Sequence, residues 1–180
     1  MMLPFYTIGH STRTIEAFVD LLRLAEVVLV VDIRSIPKSR TNPQYNQAVL
    51  PQHLAPHGID YVHSAELGGL RGKSKKVAAE VNAFWENQSF HNYADYALTD
   101  MFHDGLAQLV ALGRKRRCAI MCAEAVWWRC HRRIVADYLI ARGETVFHLM
   151  GNNKIEPAHL TQGAQIQKNR VIYPAGKLES

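Results

Sequence analysis

The chain has 180 residues, 48% hydrophobic and 21% charged, which suits one domain with its own core and argues against disorder. No apolar run approaches the roughly 18 residues needed to span a bilayer, and Met1-Met2-Leu3-Pro4-Phe5-Tyr6 lacks the basic and apolar segments of a signal peptide, so a cytosolic location without a membrane partner is expected. The net charge of +5 favours anionic partners only weakly and does not by itself establish nucleic-acid binding.

Residues 4–8 read as a short buried strand ending at Gly9-His10-Ser11. Ser11 or Thr12 is a suitable cap for the helix that follows, and Ile15, Phe18, Val19, Leu21, Leu22 and Ala25 have helical spacing. The continuous β-branched run 27–34 is the pattern of a strand covered on both faces in a parallel sheet. A loop with two prolines and two cations, Ser35 to Pro43, leads to a short helix at 48–55 that Pro51 and Pro56 should interrupt. A third strand is expected at 59–63, followed by the glycine-rich basic loop Glu66-Leu67-Gly68-Gly69-Leu70-Arg71-Gly72-Lys73, which has neither the P-loop nor the dinucleotide spacing. The spacing then predicts a short helix over 77–84, a long one over 93–112, a fourth strand over 118–122, a helix over 126–142 stopped by Gly143, and a fifth strand over 145–150. The last thirty residues are polar, with a short helix near Ala158 and an extended piece at 171–173.

Alternating strands and helices predict a single α/β domain over 1–180: a three-layer α/β/α sandwich with a mainly parallel sheet of about five strands, and a polar C-terminal extension over 162–180. In such sheets ligands bind beyond the carboxyl ends of the strands. Gly9-His10-Ser11, Arg34-Ser35, Glu66-Leu67-Gly68 and Cys122-Ala123-Glu124 each follow a strand, so all four should face one crevice.

The chemistry concentrates in Cys122-Ala123-Glu124-Ala125-Val126-Trp127-Trp128-Arg129-Cys130-His131-Arg132-Arg133. Cys122 at a strand end, just before a helix starting near Ala125, would have its thiol pKa lowered by the helix dipole with Arg129 or Arg34 nearby. Glu124, two residues on, is placed as general base or orienter, and His10 as acid/base. Trp127, Cys130, Ile134 and Tyr138 trace a helical stripe, so Cys130 reads as packing, with His131 and Arg132 divided between crevice and ion pairing. Ser11, Arg34, Glu66, Gly68, Gly69, Arg71, His131 and Arg132 are the candidate substrate-binding residues, with Arg34 and Arg132 as anion clamps. All three cysteines lie between Cys118 and Cys130, unlike an extracellular disulfide framework. A metal held by Cys122, Cys130, His131 and His10 is a lesser reading, since the two cysteines lack the spacing of a zinc knuckle; no cofactor is expected.

Tyr6-Thr7-Ile8-Gly9-His10-Ser11, Val31-Asp32-Ile33-Arg34, Glu66-Leu67-Gly68-Gly69, Cys122-Ala123-Glu124 and Cys130-His131-Arg132 together resemble domain-of-unknown-function family 488, from Tyr6 to about Thr161. That resemblance implies an α/β domain of bacterial and archaeal cytosol linked to nucleic-acid or nucleotide chemistry, without naming a reaction. A looser likeness of layout is to rhodanese-like and Cys-based phosphatase domains, whose Cys and Arg stand one residue closer than Cys122 and Arg129. The expected function is therefore an enzyme, a transferase or hydrolase acting on a small anionic or nucleotide-like ligand around Cys122 and Glu124. The alternative is a nucleic-acid-associated binding protein using the basic clusters Lys38-Arg40, Arg71 to Lys76 and Arg114 to Arg117.

Overall fold

The computed structural model describes residues 2–176. Its sheet contains β1 (Phe5–Gly9), β2 (Leu29–Asp32), β3 (Asp60–His63), β4 (Cys118–Cys122), β5 (Val146–Met150) and β6 (Lys154–Pro157), in the order β3-β2-β4-β1-β5-β6. All neighbours are parallel except the β5–β6 pair. The helices are α1 (Ile15–Leu24), α2 (Leu50–Leu54), α3 (Gln88–Tyr96), α4 (Asp100–Lys115) and α5 (Arg132–Ala141). None among the described residues is long and apolar enough to cross a membrane.

Strand alternation sorts the core into two layers, because successive side chains point to opposite faces. Phe5, Val31, Cys118, Ile120 and Val146 pack with Ala94 of α3, Leu106 and Leu109 of α4, and Ile134 and Tyr138 of α5. Tyr6, Ile8, Val30, Ala119, Met121 and Leu149 pack with Phe18 and Leu22 of α1 and Leu50 and Leu54 of α2. The expected α/β sandwich is the observed architecture, with six strands rather than five in the main sheet.

Several boundaries differ from the sequence reading, each for a local reason. Thr14, not Ser11 or Thr12, caps α1, its hydroxyl accepting from the Ala17 N–H at 3.1 Å. Pro51 does not interrupt α2: it sits in the first turn, where the missing N–H has no intrahelical partner to lose. The 77–84 helix is only a 3-10 turn at Ala79–Asn82. The single helix expected over 93–112 is two, because the Thr99 hydroxyl accepts from the Phe102 N–H and starts α4 afresh. No helix forms at Ala158; Asn152 and Asn153 take positive φ and turn the chain into β6. The C-terminal extension is partly core: β7 (Gln165–Gln167) and β8 (Arg170–Ile172) form a hairpin, and Val171 and Tyr173 are fully buried against α5.

The helix expected over 126–142 is the difference that matters most for chemistry. Only Trp127–Arg129 forms a 3-10 turn, Cys130 is extended at φ −129 and ψ 146, and α5 begins at Arg132. The cause is the fully buried Arg132 side chain, whose guanidinium draws in the carbonyls of Glu124 at 2.6 Å and Ala125 at 3.2 Å. Carbonyls turned sideways to a guanidinium cannot start a helical ladder.

Candidate active site around two cysteines

A crevice of about 490 Å³ opens beyond the carboxyl ends of β1, β2 and β4, and is lined by residues including His10, Arg34, Gly69, Cys122, Glu124, Arg129, Cys130 and His131. This is the place where chain order reverses across the sheet, since β4 inserts between β2 and β1. The loop after β1 and the loop after β4 are stitched together by the backbone N–H groups of His10 and Ser11 donating to the carbonyls of Cys122 and Ala123 at 2.9 and 3.0 Å. They approach so closely that a Cβ on Gly9 would stand 1.7 Å from the Glu124 carbonyl oxygen, which is why glycine ends β1.

At the floor of the crevice the Sγ atoms of Cys122 and Cys130 are 2.7 Å apart. Both cysteines are free and buried. Arg132 donates through Nη1 to Cys122 Sγ at 2.5 Å, and its backbone N–H reaches Cys130 Sγ at 3.5 Å. The remaining partners of this buried guanidinium are the Glu124 and Ala125 carbonyls and Thr7 Oγ1; no carboxylate pairs with it among the described residues. A buried cation without a counter-charge is costly. The two thiols are the ionisable groups in contact with it, so they titrate as a coupled pair and any negative charge is shared between them.

The two sulfurs divide that charge unequally. Burial pushes the Cys122 thiol well up, reinforced by its hydrogen bond to Cys130 and the negative charge there. Burial also acts to raise Cys130, but the Cys122 hydrogen bond, the Arg132 charge and the Arg132 backbone N–H outweigh it and bring Cys130 down to about 7. The charge of the pair is thus drawn towards Cys130, across the hydrogen bond that joins the two sulfurs. Sequence reasoning expected the reverse, a lowered Cys122 and a Cys130 used for packing. It assumed a helix starting near Ala125, whereas the true helix starts beside Cys130 and the extended Cys130 backbone turns its sulfur to Cys122.

His131 completes the group. Its Nε2 faces the Ile33 carbonyl at 2.8 Å, and a carbonyl can only accept, so Nε2 carries the proton. That leaves Nδ1 as an unprotonated acceptor 3.5 Å from Cys130 Sγ. Burial lowers the His131 pKa, keeping the ring neutral. Gly69 lies directly against this nitrogen: a Cβ there would be 2.5 Å from Nδ1.

The other expected residues fall into distinct places. Arg34 lines the crevice, but its guanidinium is bidentate on Asp32, with Nε at 2.9 Å from Oδ1 and Nη2 at 2.7 Å from Oδ2. Its Nη1 donates to His10 Nε2 at 3.3 Å, so His10 keeps its proton on Nδ1 and gives it to the Ser11 carbonyl at 2.9 Å. Burial lowers the His10 pKa, and the ring stacks on Tyr45 with centroids 4.3 Å apart. Glu124 is exposed on the crevice wall, and only its carbonyl, not its carboxylate, meets Cys122. Ser11 contributes a backbone bond rather than its hydroxyl. Gly68 packs tightly on Ser35.

Glu66 and Arg71 do not join the crevice. They line a separate pocket with Met101 and Asp104, where Arg71 donates to the carbonyls of Gly68 and Ala65 and stacks 3.7 Å over the Tyr96 ring. The 3-10 turn Ala65–Leu67 carries the Glu66 side chain away from the strand ends. Sequence reasoning gave no role to Phe90, placed Lys38 only in a basic cluster and Arg129 only beside Cys122; all three line the crevice. Lys38 lies on a loop and Arg129 ends the 3-10 turn Trp127–Arg129; neither makes an ion pair among the described residues. Among those residues no group of three or more His, Cys, Asp or Glu converges to hold a metal.

A family model described as "Domain of unknown function DUF488" matches residues 14–139, more than half of the chain. The chain belongs to DUF488. The DUF488 segment contains Asp32, Arg34, Cys122, Glu124, Cys130, His131 and Arg132, while β1 with His10 lies before it and β5 after it. Comparison with curated proteins finds no match, and comparison with solved structures finds none either.

Proposed function

We propose that this DUF488 protein is a thiol-dependent enzyme, a transferase or hydrolase acting on a small anionic or nucleotide-like substrate, with Cys130 as nucleophile. One observation carries the reading: a fully buried arginine, paired with no carboxylate among the described residues, faces two thiols at the end of the central strand. The Cys130 thiolate attacks an electrophilic carbon or phosphorus centre; the sulfur bond to that centre forms as the leaving group departs with its electron pair. Water then attacks the covalent intermediate, His131 Nδ1 taking its proton, and Cys130 leaves again as thiolate. The Ile33 carbonyl orients the imidazole, and Cys122 S–H with Arg132 steadies the charge. Glu124 is a further titratable group on the wall, and Lys38 and Arg129 give the mouth a positive potential for an anion. Three free cysteines fit a reducing compartment such as the cytosol.

The nucleic-acid alternative gains less support. Arg114, Arg116 and Arg117 are engaged with Glu144, Asp60 and Glu26, at 2.8, 2.7 and 2.7 Å.

Alkylation kinetics resolved by peptide mapping test the proposal. Cys130 should react with iodoacetamide along a titration centred near 7. Anionic iodoacetate should gain on neutral iodoacetamide relative to free cysteine, and Arg132→Met should move the titration up towards the ordinary thiol value of about 8.5. An ordinary thiol profile at Cys130, or the reagent preference of free cysteine, would overturn it.

A further inference from the structure

Cys122 does more than a hydrogen-bond donor requires. Its sulfur sits 2.7 Å from that of Cys130, and both residues line the same open crevice. A thiolate nucleophile needs no second cysteine; serine or threonine would donate as well. A second sulfur in contact does allow one further reaction. We propose that the Cys122–Cys130 pair is a site of reversible oxidation, in which a hydroperoxide oxidises Cys130 and Cys122 captures the product as an intramolecular disulfide. This rests on the reading of Cys130 as the thiolate, but not on any enzyme activity of the crevice.

The steps balance. The Cys130 thiolate attacks the terminal oxygen of the hydroperoxide; an S–O bond forms, the O–O bond breaks, and the departing alkoxide takes a proton from water. Sulfur has lost two electrons and the peroxide has gained them, leaving a sulfenic acid. Cys122 then gives up its proton and its sulfur attacks Cys130 Sγ. The S–S bond forms, the S–O bond breaks, and hydroxide leaves with that proton as water. In sum, two thiols and one hydroperoxide become a disulfide, an alcohol and water.

Two structural facts favour closure and one favours reversal. The sulfurs must approach from 2.7 Å to the disulfide length of about 2.05 Å, a small change. Cys130 lies in the extended residue between a 3-10 turn and α5, outside regular structure, where such a shift is absorbed most easily. Oxidation, however, removes the anion beside Arg132 and leaves that buried guanidinium without a counter-charge among the described residues. A reduced form stabilised in this way makes the disulfide readily reducible, as suits a regulatory rather than a structural bond. Cys118 provides an internal contrast: it lies in the core under α4 and α5, outside the crevice, and burial lifts its thiol to about 12.

The test uses the full chain treated with one equivalent of hydrogen peroxide, followed by intact mass and non-reducing peptide mapping. Most chains should lose two hydrogens and show a Cys122–Cys130 link that dithiothreitol reverses, with Cys118 unmodified. In a Cys122→Ser variant the reaction should stop at a Cys130 sulfenic acid trapped by dimedone. A wild-type chain that remains reduced, or runs on to sulfinic acid without forming the link, overturns the proposal even if the variant does not fold. If the link fails while Cys130 still alkylates near neutrality with iodoacetate favoured, oxidation is refuted and the enzyme reading stands. If the link forms without a preference for iodoacetate, the anionic-substrate reading falls and the oxidation site remains.

Discussion

At the scale of the residue, Arg132 is the centre of the site, and its hold on Cys122 is itself braced from behind. Arg132 Nε donates to Thr7 Oγ1 at 3.2 Å, and the Thr7 hydroxyl is hydrogen-bonded to His148 Nδ1 at 2.6 Å. The chain ends on a neutral His148. Burial, and next the Arg132 charge, drive its pKa down to about 3, while the ring stacks on Trp127 with centroids 4.6 Å apart. The consequence is a dependence of stability on pH. Below about 6.5 the unfolded chain binds a proton that the folded chain refuses. The contribution is therefore complete above about 6.5 and lost as pH falls towards 3. Between pH 7 and pH 5, wild type should lose about 2 kcal/mol more unfolding free energy than His148→Gln, read from urea denaturation. Equal losses in the two proteins would show that His148 is not held neutral. His10, His103 and His131, also lowered by burial, shift both curves alike.

At the scale of the element, the stretch between β4 and α5 decides what the cysteines can do. A helix beginning near Ala125 would have carried Cys130 round onto the core stripe. The interrupted path instead leaves Cys130 extended beside the start of α5, with its sulfur against Cys122. Gly9 makes that path possible, because the Glu124 carbonyl occupies the space a Cβ would need. Gly9→Ala should cost about 3 kcal/mol, at the upper end of overpacking effects, since backbone rather than a flexible side chain must move. It should also raise the pH at which Cys130 alkylates, as the Glu124–Arg132 contact is displaced. Retention of wild-type stability and alkylation profile in this variant would mean the loop can yield. The separate start of α4 at Thr99 was legible in principle: Thr99-Asp100 is a cap followed by a first-turn acid, a local signal that the apolar spacing across 93–112 concealed.

At the scale of the whole molecule, the segment after the last parallel strand closes the α5 side of the core. The Tyr173 hydroxyl donates to Asp137 Oδ2 at 2.7 Å, the Thr161 N–H to Asp137 Oδ1 at 2.9 Å, and the Tyr173 N–H to Asn82 Oδ1 at 3.0 Å. Tyr173→Phe should destabilise by about 1–3 kcal/mol, because it leaves a buried carboxylate short of a donor. Tyr173→Ala should cost about 3–5 kcal/mol, since a large aromatic cavity is added. Equal effects of the two substitutions in chemical denaturation would show that the ring is not packed as described.

The sequence by itself determined the alternation of strands and helices, the parallel core of the sheet and the rule that strand ends gather at one crevice. Those follow from local periodicity and from handedness, which act within a few residues. It also singled out Cys122 and its neighbours as candidates, because residue types are visible without coordinates. Tertiary structure decided how the two sulfurs meet each other and Arg132. The Cys130 backbone is extended where the buried Arg132, reaching from α5 to Thr7 of β1, holds the Glu124 and Ala125 carbonyls out of helical register. It likewise sent Glu66 and Arg71 to a different pocket and tied Arg34 to Asp32. The balance between burial and an unpaired cation depends on contacts between distant segments, and no spacing along the chain encodes it.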